Sequence, residues 1–188
     1  MIQRLKNFCF FRGSAPIKCA SMTKLLMVCM GNTCRSPMAQ AVIRKLALET
    51  GLAQPFEVAC AGTHAHHLGE RLDPRAALTL TRHGYEMGRV RSRRITEQDF
   101  QSFDLILAMD SSNLTELHRL CPAEQGHKLH LLLDFAEEIS ETEVPDPYYG
   151  NQEGFEQVLA LCEAGARGLI RRLLQKPSKI DAAVPPAG

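Results

Sequence analysis

Cys29 is followed, after five residues, by Arg35 and Ser36, and the intervening loop is Met30, Gly31, Asn32, Thr33 and Cys34. Arginine carries a planar fork of donors that holds two oxygens of a tetrahedral anion at once, a geometry that lysine cannot copy. A cysteine thiolate is a strong nucleophile, and Ser36 offers a hydroxyl close to the sulfur. The spacing therefore suits attack of sulfur on phosphorus, with the phosphoryl oxygens held by fixed donors of residues 30–36. Cleaving a phosphate ester also needs a proton for the departing oxygen. Asp146, set between Pro145 and Pro147, is the candidate donor, because a stiff loop can aim one carboxyl into a cleft.

These residues need a frame that presents them. Lys24 to Val28 reads as a buried strand, and Pro37 is expected to open a helix running to about Thr50. Its apolar side is Met38, Ala41, Val42 and Leu46, and Gly51 ends it. A strand that feeds a loop and then a helix N-terminus makes an anion site from unpartnered backbone N–H groups and aligned peptide dipoles. The same field favours a thiolate at Cys29 over a thiol.

Further along, Phe56 to Ala61 reads as a second strand, followed by the loop Gly62 to Gly69. Its histidines, His64, His66 and His67, invite a metal reading, but no acidic or cysteine partner stands at ligand spacing, so a surface loop beside the phosphate site is expected. Asp73-Pro74-Arg75 starts a helix that reaches His83 and stops at Gly84, with His83 facing the negative end of the helix dipole. Arg89 to Arg94 is the most basic run, either a solvated face or a surface that favours an acidic phosphoprotein. Thr96 to Asp99 reads as a helix cap, Leu105 to Met109 as a third strand ending at Asp110, and Ser111 to Leu120 as a helix with Leu114, Leu117 and Cys121 inward. Leu129 to Leu133 is the fourth expected strand. Phe155, Val158, Leu159, Cys162, Ala166, Leu169, Ile170 and Leu173 mark a long closing helix. Strands alternating with helices imply an α/β domain with a parallel sheet covered on both faces, and ligands bind such sheets beyond the carboxyl ends of the strands.

Composition narrows the class. The chain has 188 residues, 45% of them hydrophobic, which fits one domain of about 23–175 with a disordered leader at 1–22 and a disordered tail at 176–188. A formal net charge of +1 argues against nucleic-acid and membrane binding, and no run approaches the roughly 20 apolar residues of a membrane span. Seven irregularly spaced cysteines do not suggest a disulfide framework, so a reducing, cytoplasmic location is expected.

The string from Val28 to Ala39, Val-Cys-Met-Gly-Asn-Thr-Cys-Arg-Ser-Pro-Met-Ala, together with Asp146-Pro147-Tyr148-Tyr149-Gly150, resembles the low-molecular-weight protein tyrosine phosphatases over about Thr23 to Leu174. The resemblance implies a four-stranded parallel sheet in the order 2-1-3-4. It also implies Cys29 as nucleophile, Arg35 and the loop amides as phosphate holders, and Asp146 as general acid and then base. Tyr148 and Tyr149 would be aromatic walls of the cleft, and Cys34 a redox partner of Cys29. The partners it implies are tyrosine-phosphorylated proteins. No metal or other cofactor is required, phosphate or sulfate is expected to fit the loop, and a monomer or weak dimer is the expected state.

Three positions depart from the pattern. Thr33 stands where the family's tyrosine-specific members usually have isoleucine or valine, and a threonine there is characteristic of its protein-arginine phosphatases, whereas Tyr148 favours phosphotyrosine. Cys60 and Val90 replace the serine and histidine that usually help to hold the loop asparagine, so a rearranged support for Asn32 or a bound water is expected, with some loss of preorganisation. A thiol-dependent arsenate reductase would need two further relay cysteines in a mobile segment, whereas Cys60, Cys121 and Cys162 are scattered singly. A non-catalytic phosphate-binding module would predict loss of Cys29 or Asp146, and both are present.

Overall fold

The computed structural model describes residues 22–50 and 56–175. The expected leader (Met22 apart), the tail beyond 175 and the helix stop at Gly51 lie outside the described residues. In chain order the elements are β1 (Thr23–Cys29), α1 (Arg35–Glu49), β2 (Phe56–Gly62), α2 (Pro74–Arg82), α3 (Glu97–Ser102), β3 (Leu105–Ala108), α4 (Ser111–Leu120), β4 (Leu129–Leu131) and α5 (Gln152–Gln175).

All strand pairs are parallel and the order is β2-β1-β3-β4, as expected. Because side chains alternate across a strand, β1 feeds two cores. Leu25, Met27 and Cys29 face one built with α1, α2 and α5, and Leu26 and Val28 face the other, which holds Phe100 of α3 and Leu117 of α4. Burial on both faces explains why the strand reads as an unbroken apolar run rather than an alternating one. Cys29 therefore ends the central strand at the carboxyl edge of the sheet, paired in register with Gly62 of β2.

Several boundaries differ from the sequence reading. Helix α1 starts at Arg35, two residues before Pro37, and a proline fits there because residues of the first turn need no intrahelical N–H donor. The N-cap is Cys34, whose side chain makes no capping hydrogen bond. The third strand ends at Ala108, although the Met109 N–H still donates to Val28 at 3.1 Å. The fourth strand ends at Leu131, because the Asp134 carboxylate accepts from the Leu131 N–H at 2.9 Å and closes a 3-10 turn over Leu132–Phe135. A second 3-10 turn, Ala123–Lys128, had no clear signal. On α4 the buried residues are Asn113 and Leu117, while Leu114 and Cys121 are only partly covered. His83 caps α2 as expected and also lies 2.7 Å from a Glu156 oxygen on α5.

Candidate active site

The loop between β1 and α1 is held from outside by its carbonyls. Cys29 accepts from the Thr63 N–H at 2.9 Å, Met30 from the His64 N–H at 3.0 Å, and Thr33 from the Asp73 N–H at 2.9 Å. Gly31 accepts from the Ser92 hydroxyl at 2.8 Å. Among the described residues no protein acceptor meets the N–H groups of residues 31–36. With its carbonyls turned outward and the start of α1 uncapped, the loop is a hollow of donors suited to a tetrahedral anion.

Two backbone features make this curvature possible. Asn32 adopts a left-handed conformation (φ 56°), rare for a residue with a side chain, and its carboxamide is pinned at both ends. Nδ2 donates to Ser36 Oγ at 3.0 Å and Oδ1 accepts from the Arg93 N–H at 3.0 Å. The carboxamide also faces the Cys60 thiol, which burial pushes up to about 11. A backbone N–H of the 89–94 run thus supplies part of the support of Asn32. Gly62 is the second feature: a Cβ there would lie 2.6 Å from the Met30 carbonyl oxygen.

Cys29 is 2% exposed at the base of the hollow, with its sulfur 3.1 Å from Ser36 Oγ. Ser36 already accepts from Asn32, and its single proton can point to the sulfur or to the Ala61 carbonyl at 3.3 Å. A thiolate is the stronger acceptor, so ionisation of Cys29 draws that proton toward sulfur. Cys34 differs: burial pushes its thiol up to about 12, with partial relief from the Thr33 hydroxyl 3.7 Å away.

Arg35 is 2% exposed and tethered on three sides. Its Nη1 donates to Asp110 and, at 3.1 Å, to the Val144 carbonyl, and its Nη2 donates to Asp146 Oδ2 at 2.8 Å. Burial alone would push the guanidinium down, but the Cys29 sulfur, Asp110 and Asp146 outweigh it and hold Arg35 above its ordinary value. Asp110 is in turn fixed as the N-cap of α4, accepting from the Asn113 N–H at 2.6 Å. The Val144 N–H donates to Met109 at 2.8 Å, which ties the loop of Asp146 to the end of the third strand.

Arg75 holds the far side of that loop. It ion-pairs with Asp73 at 2.8 Å, donates to the carbonyls of Tyr148 and Gly150 at 3.0 Å each, and lies 4.7 Å over the Phe155 ring. The Arg75 guanidinium hydrogen-bonded to Asp73 holds that carboxyl below its usual range. Tyr148 and Tyr149 meet edge to face at 5.0 Å, and Tyr149 is 98% exposed. Met30, in the loop itself, and Leu68 are also exposed.

The structure brings Cys29, Arg35, Ser36, Asn32 and Asp146 together around one hollow. It places Cys60 and Cys162 as buried single thiols and Cys121 at the end of α4, far from the mobile pair that a disulfide relay needs. Of the histidines, His64 and His66 stack on each other, while His67 pairs with Glu70 and its ring lies 5.9 Å from that of Tyr148. The arginine run divides, with Arg93 paired to Asp99 and Arg94 donating to the Thr63 carbonyl, while Arg89 and Arg91 remain exposed. Five supporting residues escaped sequence reasoning: Gly62, Arg75, Ser92, Arg93 and Asp110. Asp110 and Arg75 did stand out, but only as a strand end and a helix start.

Comparison with known proteins places the same residues in a common frame. A family model described as low molecular weight phosphotyrosine protein phosphatase matches residues 24–179. A putative low molecular weight protein-tyrosine-phosphatase of Synechocystis sp. is 40% identical over 151 residues, 80% of this chain and 96% of the relative. The low molecular weight phosphotyrosine protein phosphatase of Homo sapiens is 38% identical over 149 residues, 79% and 94% of the two chains. A crystal structure of a protein tyrosine phosphatase from Entamoeba histolytica with Hepes in its active site superposes with a TM-score of 0.79 at 39% identity, covering 81% of this chain and 97% of that one. Since the family model spans the sheet, the donor loop and the Asp146 segment, and relatives 38–40% identical match about four-fifths of the chain, the chain belongs to the low molecular weight phosphotyrosine protein phosphatases.

Proposed function

We propose that this chain hydrolyses phosphotyrosine in proteins through a phosphorylated cysteine. The sulfur of Cys29 attacks phosphorus, forming a sulfur–phosphorus bond as the bond to the phenolic oxygen breaks, and Asp146 gives that oxygen a proton. The ionised Asp146 then takes a proton from a water that attacks phosphorus, releasing inorganic phosphate and the thiolate. Arg35 and the loop N–H groups hold the equatorial oxygens through both steps, where charge accumulates.

The observation that carries this reading is the convergence of Cys29, Arg35 and Asp146 on one hollow whose amide donors are unspent. Asp146 rests on Nη2 of Arg35. An arriving phosphoryl group competes for that donor and frees the carboxyl to turn to the leaving oxygen. A tetrahedral anion such as phosphate or sulfate fits the same donors, in keeping with Hepes, a sulfonate, in the active site of the Entamoeba relative. In this reading Tyr148 and Tyr149, edge to face at 5.0 Å, flank the ring of the substrate, and Cys34, five residues after Cys29 in the same loop, is its redox partner.

Thr33 favours a second reading, a protein-arginine phosphatase. Its side chain is buried in the loop with its hydroxyl against the Cys34 sulfur. Matched peptides carrying phosphotyrosine or phosphoarginine, assayed by phosphate release, decide between the two. A kcat/KM at least about tenfold higher for phosphotyrosine supports the first reading, and the reverse order overturns it.

A further inference from the structure

We propose a second substrate contact: an arginine-rimmed cavity beside the catalytic loop that takes an acidic segment, carrying one bulky apolar side chain, of the same phosphorylated protein. This rests on the phosphatase reading and adds a determinant of which sites the enzyme prefers.

The cavity has a volume of about 670 Å³. Its lining is apolar at Pro37, Leu72, Met87 and Val90, and among the described residues it includes Arg71, Arg89 and Arg91 but no carboxylate. Arg44 adds a fourth guanidinium. Gly88 has φ 63°, a conformation that suits glycine, and the Cβ it lacks would sit 3.4 Å from Arg44 Nη1. None of these four arginines forms an ion pair among the described residues, whereas Arg35, Arg75, Arg93, Arg119, Arg167 and Arg171 all do. Arg71, Arg89 and Arg91 are exposed, and Arg91 donates to the Gly69 carbonyl at 3.1 Å.

Unpaired cations around an apolar lining are complementary to carboxylates flanking an apolar side chain. Size points the same way: the volume lies in the range of ordinary ligand sites, about 300–1,000 Å³, and far exceeds what inorganic phosphate fills. The balance of charge over the chain, +1, makes this a local feature rather than part of a general polyanion surface.

Position makes it a substrate contact. Pro37 belongs to the first turn of α1, which the catalytic loop feeds. Leu72 is adjacent to Asp73, whose N–H donates to the Thr33 carbonyl at 2.9 Å, so the cavity and the loop share a wall.

The test uses the full chain and two phosphotyrosine peptides that differ only in a flanking segment, Glu-Leu-Glu against Gln-Ser-Gln, placed on either side of the phosphotyrosine in separate pairs. Each peptide is also made with a non-hydrolysable phosphonate so that binding is read by fluorescence anisotropy without turnover. Exposed surface ion pairs contribute modestly one by one, so an acidic segment meeting several arginines is expected to tighten binding about tenfold, on one side only. In the double variant Arg71→Gln/Arg89→Gln that preference falls to about twofold or less, while turnover of para-nitrophenyl phosphate stays within about twofold of wild type. Equal affinity for both peptides in wild type, or an unchanged preference in the double variant, overturns the proposal. So does a preference that free Glu-Leu-Glu peptide reproduces as an effect on para-nitrophenyl phosphate, which would make the cavity an effector site. Loss of para-nitrophenyl phosphate turnover in wild type would instead count against the phosphatase reading, and the anisotropy comparison still judges the cavity.

Discussion

Arg35 Nη2 donates to Asp146 Oδ2 at 2.8 Å, across 111 positions of sequence, and this one contact joins the two halves of the candidate chemistry. The guanidinium that binds an anion and the carboxyl proposed to protonate the leaving oxygen share a donor. Asp110 and the Val144 carbonyl occupy the other arm of Arg35, so Nη2 is the arm left to be contested.

Removing the carboxyl should therefore separate substrates by leaving group. Asp146→Ala is expected to slow an alkyl or unactivated aryl phosphate by roughly 10²–10⁴, the usual contribution of a general acid. Para-nitrophenyl phosphate, whose phenolate leaves without a proton, should lose markedly less in the bond-breaking step. Steady-state kcat/KM on both checks this, and equal losses would take the acid role away from Asp146.

Arg75 is expected to act by holding the Asp146 loop. Its two hydrogen bonds to the carbonyls of Tyr148 and Gly150 fix that loop from the side away from Arg35. Arg75→Ala should lower kcat by about tenfold to a hundredfold, the scale of a small misplacement of a catalytic group. The inhibition constant for phosphate, whose donors are Arg35 and the loop N–H groups rather than Arg75, should hold within about twofold. Arg75→Lys cannot supply both carbonyls with the same fork and should recover only part of the loss. If phosphate affinity and kcat fall together, the residue supports the whole site instead.

Much of this arrangement was legible in the residues. The run before Cys29 reads as a buried strand because β1 is covered on both faces, and the cap signals at Asp73 and Thr96 mark helix starts that the structure keeps. Asp110 was harder to read. A single acidic residue at a strand end signals a helix cap, and nothing local says that its other oxygen reaches an arginine 75 positions earlier. Arg93 and Ser92 were hidden for a related reason: one holds Asn32 through its backbone N–H and the other holds Gly31 through a hydroxyl, both from a run whose charge dominates the reading. The fourth strand was overextended because the apolar run Leu129–Leu133 continues past the point where Asp134 turns the chain.

Acid should loosen the support of Asn32 through Asp99. Burial alone would raise the Asp99 carboxyl, but Arg93, at 2.9 Å, and the Thr96 N–H outweigh it and hold it below its ordinary range. A depressed value in the folded state means that the unfolded chain binds more protons, so this stability is fully present above the unfolded value of about 3.9 and is lost as pH falls below it. Asp99→Asn should cost roughly 1–2 kcal/mol at neutral pH through the lost cap and ion pair. The cost should shrink as the pH drops below about 4. Urea midpoints measured across that range check the sign, and a cost that grows on acidification contradicts it.

The second loop thiol sets an oxidation pattern. Burial pushes Cys34 up to about 12, so it stays protonated at neutral pH and is a poor first target for peroxide. Peroxide is expected to convert Cys29 to a sulfenic acid, which condenses with the Cys34 thiol to a disulfide and releases water. Dithiothreitol should then restore activity in wild type. In Cys34→Ser the oxidised form should progress to the sulfinic acid and stay inactive, and full recovery of that variant would remove Cys34 from the cycle.

The most direct measurement is a rapid acid quench during turnover of para-nitrophenyl phosphate, followed by peptide mass spectrometry. The account predicts a phosphoryl adduct on the peptide containing Cys29, enriched in Asp146→Ala because hydrolysis of the adduct is slowed, and absent from Cys29→Ser, which should still bind phosphate but not turn over. Undiminished hydrolysis by Cys29→Ser, with no adduct in wild type, would contradict attack by sulfur and with it the proposed chemistry of the site.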